Sequence, residues 1–250
     1  MLEKILKNKE QEIHLLLSQQ TKKSPITHKK LSLIEALQER SFNVIAEIKR
    51  KSPSGGTLAT IRDPVTLAIQ YEAGGASGIS VLTDQQFFNG SIEDLKKVSQ
   101  AVDIPILRKD FIIHPMQIEE TAQAGASAVI LIVAALGDQT ADMLKKVQEA
   151  GLEALVEIHN EEELEIALKA QAQLIGVNSR NLKTMEVNLS TAEKLIKLIP
   201  DHVIKIAESG IYTMDDAKRM KNAGYQGVLV GEMLVKSANP AKIIHQMRKL

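Results

Sequence analysis

The sequence predicts an α/β protein built as a (β/α)8 barrel of the TIM type with an N-terminal helical extension. Three observations predict it. Eight short apolar runs alternate with eight amphipathic stretches, the spacing of repeated βαβ units. The runs are apolar on both faces, as parallel strands are when helices cover the sheet. The length, 250 residues, suits one such barrel, so the chain reads as a single domain over 1–250 with 1–40 as the extension. An open doubly wound sheet is the competing arrangement. It is disfavoured because eight is the number that closes and no Gly-x-Gly-x-x-Gly follows the first strand.

Residues 1–40 read as two helices joined by a polar segment around Thr21 to Lys30, flanking or capping the barrel. Ile5, Ile13, Leu16 and Leu17 fit an apolar stripe on the first of them. Strands are expected near 43–48, 78–82, 104–108, 127–132, 153–157, 174–178, 203–207 and 227–230. Helices are expected near 64–73, 91–100, 115–124, 138–150, 160–170, 189–199, 213–223 and 239–248. Asp63-Pro64 and Asn239-Pro240 each set an N-cap before a proline at the first helical position. Thr213 with Asp216 is a loose capping box. Ala73-Gly74, Ala124-Gly125, Ala150-Gly151 and Ala223-Gly224 stand where helices end, because glycine accepts the left-handed turn that closes them.

Composition excludes several functions. Basic and acidic residues number 31 each, so no global field attracts nucleic acid or an acidic membrane surface. Lys49, Arg50 and Lys51 still make a local positive patch suited to a small anion. Cysteine is absent, which removes disulfides, thiolate zinc sites and cysteine nucleophiles. No His-x-His or His-Glu-x-x-His pattern supports a metal site. Aromatics are 3% and tryptophan is absent, too few for base-stacking platforms. No run approaches the ~20 apolar residues of a membrane span. The N-terminus lacks the pattern of a secretory signal, and a cytoplasmic protein is expected.

The apolar runs end in chemically competent residues. In a βα barrel the strand C-termini converge on one mouth. Glu47 and Lys49 come from the first strand, Lys109 from the third and Glu157 from the fifth. Asn178 and Arg180 come from the sixth, Glu208 and Ser209 from the seventh. Strand alternation puts Lys109 on the face of Leu107, Glu157 on that of Leu155 and Glu208 on that of Ile206, and turns Arg108 toward the helices. Carboxylates among cations around one mouth can hold an acid and a base with separated pKa values. Gly210 and Gly231, after the seventh and eighth strands, suit backbone binding of a phosphate. Ser52-Pro53-Ser54-Gly55-Gly56 reads as a mobile loop that could cover substrate.

These motifs resemble indole-3-glycerol phosphate synthase. The resemblance is carried by Ile45 to Ser54, Leu82-Thr83-Asp84, Phe87 to Ser91, Arg108 to Ile113, Leu155 to His159, Gly176 to Leu182 and Ala207 to Ile211, in order along the whole chain. It implies closure of the indole ring in tryptophan biosynthesis, on a small phosphorylated substrate, with no cofactor and no metal. By matching motif, Lys109 is the general acid at the substrate carbonyl, supported by Glu157. Glu47 and Lys49 serve the dehydration. Asn178 and Glu208 orient these groups. Ser52, Ser209 and Arg180 match substrate-contacting positions, with Arg180 near the anthranilate carboxylate. Phe88, Phe111, Leu131 and Met185 match the apolar wall around the aromatic ring. Gly210, Gly231 and the backbone of Glu232 match the phosphate end. Glu232 stands where some relatives have serine, and His114 and Met116 replace a more usual Asp and Tyr. A monomer is expected, with a weak dimer as the alternative. An aldolase forming a Schiff base through Lys109 is the rival chemistry on the same barrel.

Overall fold

The computed structural model describes residues 1–18, 31–53 and 55–250. Among them, eight parallel strands close into a barrel: β1 Asn43–Ile48, β2 Gly78–Leu82, β3 Ile106–Lys109, β4 Ala128–Ile132, β5 Glu153–Ile158, β6 Leu174–Asn178, β7 Ile204–Glu208 and β8 Gly227–Val230. Around the barrel the order is β1-β8-β7-β6-β5-β4-β3-β2, so every strand lies beside its sequence neighbour. Closure between β1 and β8 pairs Asn43 with Gly227 and Ala46 with Val230.

Alternation along each strand divides two apolar layers. Ile45, Leu107, Ile130, Leu155, Ile206 and Leu229 face inward and fill the barrel. Val44, Ala46, Val81, Val129, Leu131, Val156 and Val177 face outward and pack under the helices. Each buried valine, leucine or isoleucine among them stabilises the fold by roughly 1.5–3 kcal/mol relative to exposure. Helices begin where the sequence supplies caps. Asp63 accepts from Val65 N and Thr66 N, Asn239 accepts from Lys242 N, and Thr213 with Asp216 completes a capping box. Left-handed Gly75 and Gly224 end two of them. His114 makes its own capping box with Gln117 at the start of the helix Pro115–Gln123.

The extension closes both ends of the barrel. Helix α2 (Leu33–Gln38) sits under the strand N-termini, where Ser32 Oγ donates to Glu153 Oε1 (2.5 Å) and Ile34 N to Glu153 Oε2 (2.9 Å). Its Leu33 and Leu37 are buried in the inner layer. Helix α1 (Leu2–Ser18) lies across the opposite end, with Ile5 in the same layer as Phe111 and Ile132. Its buried face is Ile5, Lys9 and Ile13; Leu17, expected on that face, is exposed. A lysine takes a buried position because carboxylates await it. Lys9 Nζ is 3.0 Å from Asp84 Oδ2, 2.9 Å from Asp110 Oδ1 and 2.6 Å from Glu12 Oε2. The expected polar segment Thr21 to Lys30 lies outside the described residues, as does Ser54.

Four features were not anticipated. Strand β3 starts at Ile106 instead of 104, after Pro105, which has no N–H to give a ladder. Short helices follow three strands, at Gln85–Phe88, Val133–Leu136 and Glu232–Val235, too short for their period to show. Two expected helices are split: that over 138–150 is a 3-10 turn, Gly137–Gln139, followed by Thr140–Glu149, and that over 189–199 is Leu189–Leu195 followed by a 3-10 turn, Ile196–Leu198. After β1 the chain forms a small antiparallel pair, Lys51–Ser52 with Gly56–Thr57.

Candidate active site

The strand C-termini and α1 enclose one cavity. Every residue matched to catalysis, substrate or phosphate lines it except Leu131; of the expected positive patch only Lys49 does, and Arg50 pairs with Asp94 instead. Glu47 ends β1 buried, and its Oε1 lies 2.6 Å from Lys49 Nζ, two residues on. Strand alternation brings the two together, and Gly231 on the neighbouring strand end makes room. A β-carbon there would stand 2.5 Å from Glu47 Oε1.

Lys109 is the centre of the second cluster. Its Nζ lies 2.9 Å from Glu157 Oε2 and 3.9 Å from Glu208 Oε2. Burial alone would make this ammonium easier to deprotonate. Glu157, Glu208 and Glu47 outweigh that and hold its pKa above the ordinary lysine value. Glu157 is buried and accepts from Lys109 on Oε2 and from Asn178 Nδ2 on Oε1 at 3.1 Å, while His159 Nε2 stands 3.3 Å from Oε1, an ionic contact outside hydrogen-bond geometry. Burial would raise its pKa, yet Lys109 and His159 drive it below the usual carboxylate range. Glu208 goes the other way. Burial and then the Glu157 charge push its pKa well above the ordinary value, against the pull of Lys109. Its Oε1 is buried without a hydrogen-bond partner. One mouth thus holds a fixed ammonium, a fixed carboxylate and a carboxyl that favours its proton, the separation that acid–base chemistry uses.

An apolar wall stands beside the cluster. The rings of Phe88 and Phe111 lie 6.2 Å apart between centroids. Asp84 places Phe88 by capping its short helix, accepting from Phe87 N (2.7 Å) and Phe88 N (3.2 Å). Met185, in the left-handed region at φ 66°, completes the wall. Leu131 is the correction: it is buried in the outer layer under the helices. A shift of one residue along a strand reverses the face, and Ile132 lines the cavity in its place. Arg180 reaches the rim, donating from Nη1 to Met185 O (3.0 Å) and from Nη2 to Tyr212 Oη (3.4 Å). Ser52 lines the same rim and accepts from Gly55 N at 3.0 Å.

The opposite side of the cavity carries Ser209, Gly210, Gly231 and Glu232. Ser209 (φ 61°) and Gly210 (φ 81°) both lie in the left-handed region. A β-carbon at Gly210 would press on Val187 Cγ1 at 2.8 Å. Glu232 turns its carboxylate to Lys236 Nζ (2.5 Å), which leaves its backbone as the group suited to an anion.

Sequence reasoning missed Met1, Leu2 and Ile5, which cover the mouth, and Leu182 and Tyr212, which line it. The apolar stripe on α1 was a usable signal for Ile5, but nothing in it said which end of the barrel the helix covers. Among the described residues, no group of three His, Cys, Asp or Glu is placed to hold a metal ion.

The family model described as indole-3-glycerol phosphate synthase matches residues 2–247. The indole-3-glycerol phosphate synthase of Kineococcus radiotolerans is 50% identical over 208 residues, 83% of this chain and 76% of that one. That of a Nocardioides species is 52% identical over 206 residues, 82% of this chain and 79% of its own. A solved thiamine phosphate pyrophosphorylase from Pyrococcus furiosus shares the fold at a TM-score of 0.63 and 17% identity, over 87% of this chain and 96% of that one.

Proposed function

The chain belongs to the indole-3-glycerol phosphate synthase family, and from that premise we propose how its barrel mouth works. It is a decarboxylating lyase of tryptophan biosynthesis. It converts 1-(2-carboxyphenylamino)-1-deoxyribulose 5-phosphate to indole-3-glycerol phosphate, carbon dioxide and water.

In our reading, Phe88, Phe111 and Met185 grip the aromatic ring, with Ile132 beside them, and Arg180 meets its carboxylate. The backbone at Gly210 and Gly231 takes the phosphate. The ring carbon bearing the carboxylate attacks the ribulose carbonyl, and a carbon–carbon bond forms. Lys109 gives its proton to the carbonyl oxygen, while Glu157 holds the ammonium in place. The bond to the carboxyl group then breaks, carbon dioxide leaves and its electron pair restores the aromatic ring. The new hydroxyl leaves as water with a proton from Lys49, and Glu47 removes the ring proton whose loss completes the pyrrole. Glu208, with its high proton affinity, and Asn178 keep the sugar hydroxyls and Glu157 in register.

The observation that carries this is the Lys109 ammonium, half-buried, 2.9 Å from Glu157 and in a cavity that the aromatic wall also lines. The same surroundings count against a Schiff base. An imine needs the free amine, and the acidic groups around it, Glu157 foremost, hold this group protonated. Borohydride is therefore expected to trap no substrate adduct.

Beyond the chemistry, the reading extends to one domain over residues 1–250, with 1–40 as its extension. It takes the protein as a cytoplasmic monomer that binds neither nucleic acid nor membrane. Two things support this: the balance of 31 basic and 31 acidic residues, and the absence, among the described residues, of any helix long and apolar enough to cross a membrane. A sedimentation measurement giving a dimer would correct the assembly.

The direct test supplies the purified chain with the carboxyphenylamino substrate and follows indole fluorescence and carbon dioxide together. Equimolar appearance of both is expected. Correctly folded protein that yields neither would overturn the reading.

A further inference from the structure

His159 is not among the groups assigned to the reaction, yet it is built into the site from behind. It follows Glu157 by two residues, at the end of β5, and its side chain is 10% exposed. Nε2 lies 3.3 Å from Glu157 Oε1, an ionic contact outside hydrogen-bond geometry, on the carboxylate oxygen that Lys109 does not meet. Nδ1 lies 2.9 Å from Glu163 Oε2, one turn into the helix Glu161–Lys169. The same Glu163 oxygen accepts from His159 N at 2.8 Å. Ring and backbone are thus fixed together, and the ring is held between two carboxylates. Burial would favour the neutral imidazole, but Glu157 and Glu163 raise its pKa to about 10 from the ordinary 6.5.

Among the described residues, Glu157 and Glu163 are the charged groups against it. The segment Val133–Leu136, packed on the same strand and helix, supplies only apolar side chains. Asp138, on the adjoining 3-10 turn, is exposed. So are Asp142, Lys145, Lys146 and Glu149 on the helix Thr140–Glu149, the next neighbour. The groups across Glu157 are Lys109 on β3, Asn178 on β6 and Glu208 on β7.

We propose that His159 is a positioning residue for the ring-closing reaction: braced by Glu163, it fixes the orientation and charge of Glu157, so that Glu157 stays the counter-ion of Lys109 and Glu208 is the carboxyl group that takes the proton. This rests on the roles proposed for Lys109 and Glu157. Without an imidazolium at its back, Glu157 would compete with Glu208 for one proton, as two close carboxyl groups do. A protonated Glu157 no longer anchors the ammonium that serves the carbonyl.

The experiment compares the wild-type chain with His159→Leu and His159→Gln. Leucine removes both charge and hydrogen bonding; glutamine keeps a donor and removes the charge. For His159→Leu the expected result is a fall in kcat of about tenfold to a hundredfold, with KM within about twofold. The acid limb of its kcat–pH profile should also move to higher pH. His159→Gln should recover part of kcat and keep the displaced limb. Wild-type kcat with an unmoved limb in His159→Leu would overturn the proposal. So would a lowered melting temperature with kcat and KM impaired together and the limb in place, because that describes a structural role alone. If His159→Leu does not fold, Glu163→Gln decides: its limb should move the same way by a smaller amount, and an unmoved limb contradicts us. Failure of the underlying reading is distinguishable, because the wild type would then make no indole product. Nitrogen-15 NMR would still test the contact itself. The ring should remain doubly protonated to about pH 10 and titrate lower in Glu157→Gln; a neutral ring at pH 7 in the wild type would overturn the inference.

Discussion

Glu208 occupies space that exists because residue 176 has no side chain. A β-carbon at Gly176, on the neighbouring strand β6, would stand 2.0 Å from Glu208 Oε1 and 3.2 Å from Leu155 Cδ1. The main obstacle is the far end of a flexible side chain, so Gly176→Ala should fold and displace the carboxyl group. Replacing glycine within a strand also removes an entropic cost of folding. We expect little change in melting temperature and a loss in kcat on the order of a hundredfold. A variant with wild-type kcat would show that the position of Glu208 does not matter.

Glu208→Gln should make the protein more stable while it damages turnover. The sign follows from the raised pKa. The unfolded chain ionises this group near pH 4.5, but the native site defers ionisation to a higher pH. Native stability is therefore lost progressively as pH rises from that point to the folded pKa. Glutamine has no charge to defer. Its melting temperature should exceed that of the wild type by about 2–4 °C at pH 8, the scale of ~1 kcal/mol in a chain this size. The gain should vanish near pH 4. Calorimetry at the two pH values tests it, and an equal or lower melting temperature at pH 8 would contradict the account.

Lys9→Ala should loosen α1 and weaken substrate binding. The change strands Asp84 and Asp110, both buried, without the ammonium they share. Breaking such a pair from one side costs about 3–5 kcal/mol. Part of this cost is acid-sensitive. Burial would raise the pKa of Asp110, but Lys9 and Arg108 lower it, so its contribution is present above the unfolded value and lost as pH falls through the folded one. Leu2 and Ile5 on the same helix, and Met1 just before it, lie over the cavity. Faster amide exchange across Leu2–Ser18 and a higher KM are expected. Unchanged exchange would sink the prediction.

The barrel was legible because each level of the sequence agrees with it. Strands β1, β2, β6 and β8 fall on the expected residues, since an apolar run bounded by turn residues leaves little freedom in register. Alternation placed Lys109, Glu157 and Glu208 on the inward face for the same reason. Where that argument was not applied, at Leu131, the side was wrong by one residue. What stayed hidden needs the third dimension. Gly176 reads as an ordinary strand glycine, and Gly231 as a phosphate-binding turn, until Glu208 and Glu47 are seen filling their empty sides. Lys9 breaks an apolar stripe, and only Asp84 and Asp110, 75 and 101 positions away in sequence, explain a buried ammonium. The contact of His159 with Glu163 is not legible in sequence because one follows a strand and the other lies in the next helix.

The central claim is that the Lys109 ammonium, held by Glu157, protonates the substrate carbonyl as the ring closes. Its most direct measurement is the single-turnover rate of ring closure by Lys109→Ala, followed by indole fluorescence at saturating substrate. The account predicts a loss of about a hundredfold or more in a variant whose circular dichroism matches the wild type. Ring closure at the wild-type rate would contradict it.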